Sequence, residues 1–483
     1  MKKFVLLAIF ILVIFSACRP KDNSYELNLG YAMAHANYRR EIINPPTREH
    51  LLEVIAGRCS APITIDLQEL MTEPIPNFTI STEKAIYDVN LLFGLLRDMY
   101  GAYYYFGGDE VFLPLLDNII EELNRWEHWS GSIFETLLIN NLSTIIADNH
   151  FRFGQRTIEA SASFFEPGLR FTRSDNGFRH LESGLYVTEV AGHNINDVFR
   201  LTIDEAGEFF YSIVIAIPNE GILHQRMRYN ITIVLENDKE ITKSLRSTQT
   251  QQIPFAEPSL WFEGDIPIVS IREMEQPNAT DGLESNANKF LFFAEELADE
   301  PIIIIDVRSN RGGACVLSTM WLYRILGEVV PETFAKLFRH REIKLPEDYA
   351  CMGCASGLDL TKYRPIELLS DSNYLTSGYL GKTIENNQLI ILLVDRFSAS
   401  ASECFASRIL SIENTLIVGQ NTSGTIITNG GRLIYLPNSG IPVSFGNAQV
   451  IYPEGHFAEG IGIAPDIWVS GDALTAVLAM LGR

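Results

Sequence analysis

Positive charge is scarce in this sequence. Its 38 lysine and arginine residues are outnumbered by 60 aspartate and glutamate residues, so the formal net charge is −22 at pH 7. Nucleic acids and anionic bilayers are themselves negatively charged and repel such a chain. We therefore expect no nucleic-acid partner, and any membrane contact would have to depend on something other than charge.

Long apolar runs are also absent, except at the N-terminus. Residues 1–18 read MKKFVLLAIFILVIFSAC, with two lysines, an apolar run, and small residues before a cysteine. This pattern resembles a bacterial lipoprotein signal peptide, whose cleavage would leave Cys18 as the lipidated N-terminus. The sequence therefore predicts an exported, membrane-anchored lipoprotein. An ordinary cleaved secretory peptide remains the alternative.

Cysteine is sparse as well. Of the six cysteines, five remain if Cys18 carries lipid, and an odd number cannot all pair within the chain. Cys351 and Cys354 form a single C-x-x-C without a second pair or a suitably spaced histidine pair, so we expect no metal site. A local disulfide and two loop thiols both remain open for this pair. No cofactor is expected either.

The length of 483 residues and the 46% hydrophobic content predict two or three domains with a large core. Apolar residues recur at helical spacing up to about residue 147, alternate over 185–246, and then form strands that alternate with helices. The fold class predicted is α/β. The expected parts are residues 1–18, a signal peptide; 19–82, an N-terminal segment; 83–165, a helical domain; 166–262, a small β-rich domain; and 263–483, an α/β domain with an insertion at about 326–382.

The sequence predicts that a strand meets a helix at a cluster of serines. The apolar run Leu389–Val394 predicts a strand buried on both faces, and a helical pattern follows Asp395. Ser400 and Glu403 then have the spacing of a capping box. The same geometry would also expose the Ser400 hydroxyl beside backbone N–H groups that could hold an oxyanion. The pattern alone permits either a helix cap or a nucleophile.

Three segments resemble one enzyme family in order along the chain. They read IIIIDVRSNRGG at 302–313, DRFSASASE at 395–403 and EGIGIAPDIWV at 459–469. Together they resemble the C-terminal processing (tail-specific) serine peptidases over about residues 265–470. The resemblance implies a crotonase/Clp-like core of repeated ββα units, Ser400 as the nucleophile, and a protein or peptide substrate. A PDZ-type peptide-binding domain, often carried by relatives, would correspond to residues 166–262.

The base of the tail-specific members is missing. Thr425 stands where they carry a lysine, Asn429 stands where they carry a glutamine, and no lysine follows Lys382. The enzyme is therefore either inactive or uses another base.

A histidine could replace the lysine. The segment ADNHFRF at 147–153 resembles the D-x-H segment of the tricorn-like branch, in which this histidine, His150 here, is the base. The resemblance also implies that Glu459 orients His150 and that Asn149 is a supporting polar group. His456 is a competing candidate for the base.

Hydrolysis through an acyl-enzyme also needs donors for the oxyanion. The N–H of Ala401, directly after the nucleophile, is one candidate, and Gly312 or Gly313 in the glycine turn would supply the second. The sequence thus predicts a lipid-anchored serine endopeptidase that uses no metal or organic cofactor. The alternative is a catalytically inactive peptide- or ligand-binding protein on the same scaffold. The sequence does not indicate an oligomeric state.

Overall fold

The structure is a computed structural model, and it describes residues 27–56, 58, 67–74, 79–154, 162–217, 228–248, 251–277, 282–339, 366–369, 374–377, 383–431, 433–453 and 457–483. The predicted signal peptide with Cys18, the Cys351–Cys354 pair and His456 lie outside these residues. None of the described helices combines the length and the apolar character needed to cross a membrane.

The elements follow one another in chain order from the N-terminus. The α-helices are Leu29–Ile42, Arg48–Ile55, Leu67–Leu70, Thr82–Met99, Asp109–Leu123, Gly131–Leu142, Ile195–Val198, Asn286–Leu297, Cys315–Leu326, Ala401–Ile409 and Ala473–Met480. Besides the five parallel strands described next, the longer strands are Phe199–Ile203, Phe209–Ile217, Arg228–Leu235, Glu240–Ser247, Ser259–Glu263 and Ala335–Arg339. The shorter strands are Thr79–Ser81, His128–Ser130, Arg152–Phe153, Ala162–Phe165, Phe171–Ser174, Gly177–His180, Val187–Val190, Ile366–Leu369, Tyr374–Ser377, Leu433–Tyr435, Pro442–Ser444 and Ala448–Ile451.

Five parallel strands form the centre of the fold. In sheet order they are Ile266–Ser270, Ile302–Asp306, Leu389–Val394, Thr415–Gly419 and Ile467–Trp468. Apolar residues of these strands pack into one hydrophobic cluster on each face of the sheet, which explains their nearly unbroken apolar sequences. The predicted strand Leu389–Val394 is observed with the same bounds. The α/β fold class is confirmed.

The β-rich part continues the same sheet. Thr202 pairs in parallel with Trp468, and the antiparallel strands that follow extend the sheet to 14 strands. The strand Ala162–Phe165 pairs with Phe209–Ile217 and so joins this part. Because hydrogen bonding runs through the junction, the β-rich part is held directly against the α/β core. The domain boundaries drawn from the sequence remain predictions.

Three helices form where the sequence predicted them, between residues 82 and 142, with a break at Gly107 and Gly108. Their hydrophobic core includes residues from the C-terminal part of the chain, among them Leu436 and Val443. The short strand Arg152–Phe153 also pairs with Val443 and Ser444. This pairing fixes the loop before Arg152 against the α/β domain.

The predicted insertion contributes three described strands, Ala335–Arg339, Ile366–Leu369 and Tyr374–Ser377. They form a four-stranded antiparallel sheet with Ala448–Ile451, in which Ala335–Arg339 pairs with Ala448–Ile451. The helix Arg48–Ile55 packs on this sheet through Leu51 and Ile55. At least part of the insertion is therefore integrated into the folded domain.

Candidate active site

Ser400 lies at the turn between the buried strand Leu389–Val394 and the helix Ala401–Ile409. Its backbone has a φ of +52° and a ψ of −106°, a conformation that non-glycine residues rarely adopt. Such strain costs about 1–3 kcal/mol and persists only where surrounding contacts impose it. Here the Ser400 N–H donates to Glu403 Oε2 at 2.8 Å. One arm of the predicted capping box therefore holds the serine in place, while its hydroxyl points to another partner.

That partner is His150. Its Nε2 lies 2.9 Å from Ser400 Oγ, although 250 residues separate the two in sequence. The His150 backbone N–H donates to Asp148 Oδ1 at 2.8 Å, which fixes the loop that carries the ring. Burial is the main cause that lowers the pKa of His150 below its ordinary value. The ring is therefore neutral at neutral pH and can accept a proton.

Glu459 makes no hydrogen bond to the His150 ring. Its Oε1 accepts from the Asn149 backbone N–H at 2.7 Å, and its Oε2 accepts from the N–H groups of Ile426 and Ile427 at 2.8 and 2.7 Å. Within the described part of the chain, the buried Nδ1 of His150 has no hydrogen-bond partner. The carboxylate–imidazole hydrogen bond that the family resemblance implied is therefore not observed, and three backbone N–H groups hold the Glu459 carboxylate instead.

Burial, and then the charge of Asp148, raise the pKa of Glu459 well above its ordinary range. Backbone N–H groups that donate to the carboxylate oppose this effect. Glu459 thus holds the segment that carries His150 by way of the Asn149 backbone.

Asn149 connects the His150 loop to the turn at Gly424 and Thr425, where the tail-specific members carry lysine. Its side-chain Nδ2 donates to the Gly424 carbonyl at 2.8 Å. The neighbouring Thr425 hydroxyl lies 3.1 Å from Ser423 Oγ. The side chain of Asn429 donates to that of Asn447 at 2.9 Å. Asn149 thus contacts this turn, and its supporting role in the site stays a prediction.

Glu403 joins Ser400 to the same turn. From the sequence, Glu403 was predicted only as part of a helix cap. Besides Ser400, its carboxylate accepts from the Thr422 hydroxyl at 2.7 Å and from the N–H groups of Gly424 and Thr425 at 2.8 and 2.9 Å. Burial raises the pKa of Glu403 to about 7, against these hydrogen bonds. The only sequence signal for this role was the three-residue spacing from Ser400.

The first oxyanion candidate, Ala401, is the first residue of its helix. A backbone N–H in the first turn has no acceptor within the helix and so remains able to bind an anion. Ala401 N lies near Gly312, where an added Cβ would come within 3.1 Å of it and within 2.8 Å of Ser400 Cβ. The glycine turn therefore packs directly against the nucleophile and its neighbouring donor.

The two glycines of that turn are not equivalent. The Gly312 N–H donates to Asn310 Oδ1 at 2.9 Å, so the expectation that Gly312 could serve as a donor is not met. Met274 and Gly313 form a parallel β-bridge. The Met274 N–H donates to the Gly312 carbonyl at 2.9 Å, and the Met274 carbonyl accepts from the Ala314 N–H at 2.6 Å. The N–H of Gly313 therefore points away from Met274. Gly313 remains the candidate for the second donor.

A disulfide that the sequence did not reveal lies beside these donors. It joins Cys315, the first residue of the helix Cys315–Leu326, to Cys404 in the helix Ala401–Ile409, with a Cα–Cα distance of 5.9 Å. The two cysteines are 89 residues apart, and no local pattern predicted their pairing. The bond links the end of the glycine turn to the helix that begins at Ser400.

Metal binding has no evident site in the described part of the chain, where no group of three or more His, Cys, Asp or Glu side chains is placed to hold an ion.

The chain was compared with known sequences, families and solved structures. No curated protein sequence matches the chain. Among solved structures, it is similar to mature CPAF (15% identity, TM-score 0.42, covering 83% of this chain and 96% of that one). It is also similar to the photosystem II D1 C-terminal processing protease (13%, 0.38, 83% and 96%) and to the tricorn protease (11%, 0.36, 82% and 37%).

The family comparison concerns the part of the chain that holds Ser400, Glu459 and the glycine turn. Residues 265–469 match the model of peptidase family S41, the family of the C-terminal processing serine peptidases. His150 lies outside this range. The chain therefore contains a serine-type peptidase domain of family S41.

Proposed function

We propose that the protein is an exported, lipid-anchored serine endopeptidase that cleaves peptide bonds through an acyl-enzyme on Ser400, with His150 as general base. The observation that carries the proposal is the 2.9 Å separation of Ser400 Oγ and His150 Nε2 within a chain that contains an S41 domain. A serine hydroxyl is a weak nucleophile until an adjacent base takes its proton. A buried, neutral imidazole at hydrogen-bond distance meets that need.

The reaction then follows from the placement of these groups. As Ser400 Oγ attacks the scissile carbonyl, its proton passes to His150 Nε2, and the carbonyl oxygen becomes an anion beside the N–H of Ala401 and that of Gly313. The imidazolium returns the proton to the leaving amine, which departs. Water then attacks the acyl-enzyme with His150 again acting as base, and Ser400 is regenerated.

Glu459 has an indirect part in this scheme. Its carboxylate holds the Asn149 N–H and the turn at Ile426 and Ile427, and so keeps His150 at its distance from the nucleophile. Loss of Glu459 would loosen the loop without changing the tautomer of the ring directly. We therefore expect Glu459→Gln to lower turnover less than His150→Ala does.

A fluorophosphonate probe, which reacts with activated serines, tests the proposal. The wild-type protein should be labelled, and the label should be lost in Ser400→Ala and strongly reduced in His150→Ala. The same samples should cleave an unstructured protein such as casein only when Ser400 and His150 are both present. A folded wild type that is neither labelled nor able to cleave would favour the inactive binding protein. Ser400→Ala would then bind peptides as well as the wild type does.

Anchoring through Cys18 is supported by the residues of the leader alone. Cells that express the full chain should incorporate a radiolabelled fatty acid into the protein, which should sediment with membranes. Cys18→Ser should abolish both. If the wild type is secreted without lipid and has the same distribution as Cys18→Ser, the leader is an ordinary secretory peptide.

A further inference from the structure

We propose that Asp148 is the positioning residue of the base: its carboxylate holds the His150 backbone with one oxygen and the Thr428 side chain with the other, and it balances the charge that the imidazole gains. This inference rests on the proposed function, because it concerns the same histidine. It gives Asp148 the supporting role that the family resemblance assigned to Glu459.

The Asp148 carboxylate is fully occupied by donors. Oδ1 accepts from the His150 N–H, and Oδ2 accepts from the hydroxyls of Tyr100 and Thr428, each at 2.8 Å. Asp148 itself is 0% exposed. A buried carboxylate that accepts three hydrogen bonds from separate parts of the chain is held in one orientation. The loop Asp148–His150 therefore cannot shift without breaking at least one of these bonds.

Tyr100 makes this anchor rigid. It follows the helix Thr82–Met99, is 0% exposed, and packs edge-on against Phe151 and Phe445 at centroid distances of 5.7 and 5.8 Å. Such aromatic contacts favour one arrangement of the rings. The position of Asp148 is thus set by the core that the helical part shares with residues 434–445.

Thr428 links Asp148 to the far side of the imidazole. His150 Nδ1 is buried, and no described residue meets the full geometry of a hydrogen bond to it. The Thr428 backbone nevertheless lies close enough to the ring to interact with it as a hydrogen-bonding group, which raises the pKa of His150. Asp148 holds that backbone through the Thr428 hydroxyl. When Nε2 takes the serine proton, both ring nitrogens carry hydrogen, and the Thr428 backbone is the group placed to respond at Nδ1.

The charges around His150 also distinguish the two carboxylates. Burial has the largest effect on the pKa of His150 and lowers it; the charge of Asp148 has the next largest effect and raises it; Arg152 and Lys336 lower it. Glu459 faces the same loop, but its oxygens are directed at backbone N–H groups. Asp148 is therefore the carboxylate that most favours the imidazolium formed during the reaction.

A titration that needs no activity tests this assignment. In Ser400→Ala, NMR of the His150 ring gives its pKa directly. Asp148→Asn keeps the size of the side chain: its amide oxygen can still accept from the His150 N–H, and the hydroxyls of Tyr100 and Thr428 can rotate to accept from its NH₂. The pKa of His150 should fall further in Ser400→Ala/Asp148→Asn and change less in Ser400→Ala/Glu459→Gln. An equal or larger shift with Glu459→Gln would overturn the assignment.

Kinetics of the active enzyme supply a second measurement. Asp148→Asn should lower kcat by ~10- to 100-fold, as losses of outer partners of a histidine commonly do, with little change in KM. The acid limb of kcat/KM should also move to lower pH. Thr428→Val should move it in the same direction, and Thr428→Ser, which restores the hydroxyl, should return it. Lower activity with an unmoved acid limb would mean that Asp148 is merely structural.

These two measurements separate this inference from the proposed function. If the wild type takes up no fluorophosphonate and cleaves nothing, the proposed function fails. The titration in Ser400→Ala still decides whether Asp148 governs the ionisation of His150.

Discussion

The Ser400 backbone N–H donates to the Glu403 carboxylate, and through it the nucleophile is bound to the turn at Thr422–Thr425. Glu403 is completely buried, and its pKa is raised from 4.5 to about 7. The folded protein therefore holds a proton on this group that the unfolded chain has already lost between these pH values. For such a group, stability is lost as pH rises through that window.

Glu403→Gln removes this titration. From pH 4.5 to about 7, we expect the wild type to lose unfolding free energy relative to Glu403→Gln. Above that range the difference between the two proteins should stay constant. The shift corresponds to at most about 3 kcal/mol. Urea denaturation of both proteins at a series of pH values measures it. A constant difference across this range would contradict the prediction.

The identity of the base gives a sharper contrast between two variants. His150→Ala should lower kcat by ~10⁴ to 10⁶-fold, as removal of a triad member does, while the fold is retained. Thr425→Val, at the position of the lysine in relatives, should change kcat little, because only its backbone contacts Glu403. Circular dichroism checks the fold of both, and a His150→Ala enzyme with near-normal turnover would direct attention to His456.

The pH profile of the wild type should show the same base. Because burial lowers the pKa of His150, acylation should rise with pH through an ionisation below 6.5 and then reach a plateau, since only the neutral ring accepts the proton. The rate of fluorophosphonate labelling as a function of pH measures this. A labelling rate that begins to rise only well above pH 7 would indicate a lysine-like base instead.

Packing of the glycine turn against the nucleophile predicts a strong effect of one methyl group. In Gly312→Ala, the new Cβ would lie 2.8 Å from Ser400 Cβ and 2.9 Å from the Ala399 carbonyl, at a φ of +106°. Labelling of Ser400 should be largely lost. Gly430→Ala is the matched control, because nothing lies within 4 Å of its added Cβ and its φ is not positive. Equal labelling of both variants would show that the glycine turn shifts to accommodate the added methyl group, and would contradict the prediction.

The Cys315–Cys404 disulfide should stabilise the fold. For a closed loop of about 90 residues, the chain-entropy relation gives about 4 to 5 kcal/mol. Reduction, or Cys315→Ser/Cys404→Ser, should lower the melting temperature and the labelling rate together, because the bond lies between the glycine turn and the nucleophile helix. Cys351→Ser/Cys354→Ser is the control and should keep the wild-type response to reductant. An unchanged melting temperature after reduction would contradict this role.

Much of the fold could be predicted because its signals are local. The apolar run Leu389–Val394, the helical spacing up to about residue 147 and the alternation over 185–246 each reflect how a short segment meets the core. The meeting of Ser400 and His150 could be expected only from family resemblance, because nothing between them in sequence encodes a contact across 250 residues.

Side-chain partners were predicted less well. Glu459 was assigned to the ring of His150, yet backbone donors at Asn149, Ile426 and Ile427 take its oxygens. The Gly312 N–H is taken in the same way by Asn310. Such choices depend on competition among donors a few ångströms apart, brought together from distant segments. The local sequence pattern around each residue therefore cannot predict which donor binds.

The pairing of Arg152–Phe153 with Val443–Ser444 has a consequence for assembly. His150 lies outside residues 265–469, so under the proposed mechanism the matched domain alone would hold the nucleophile without its proton acceptor. A chain severed between Gly154 and Ala162 would divide the reacting pair between two fragments. Neither fragment should hydrolyse peptides by itself, whereas mixing them should restore turnover to the extent that this strand pairing re-forms. Turnover by the mixed fragments would then report their association.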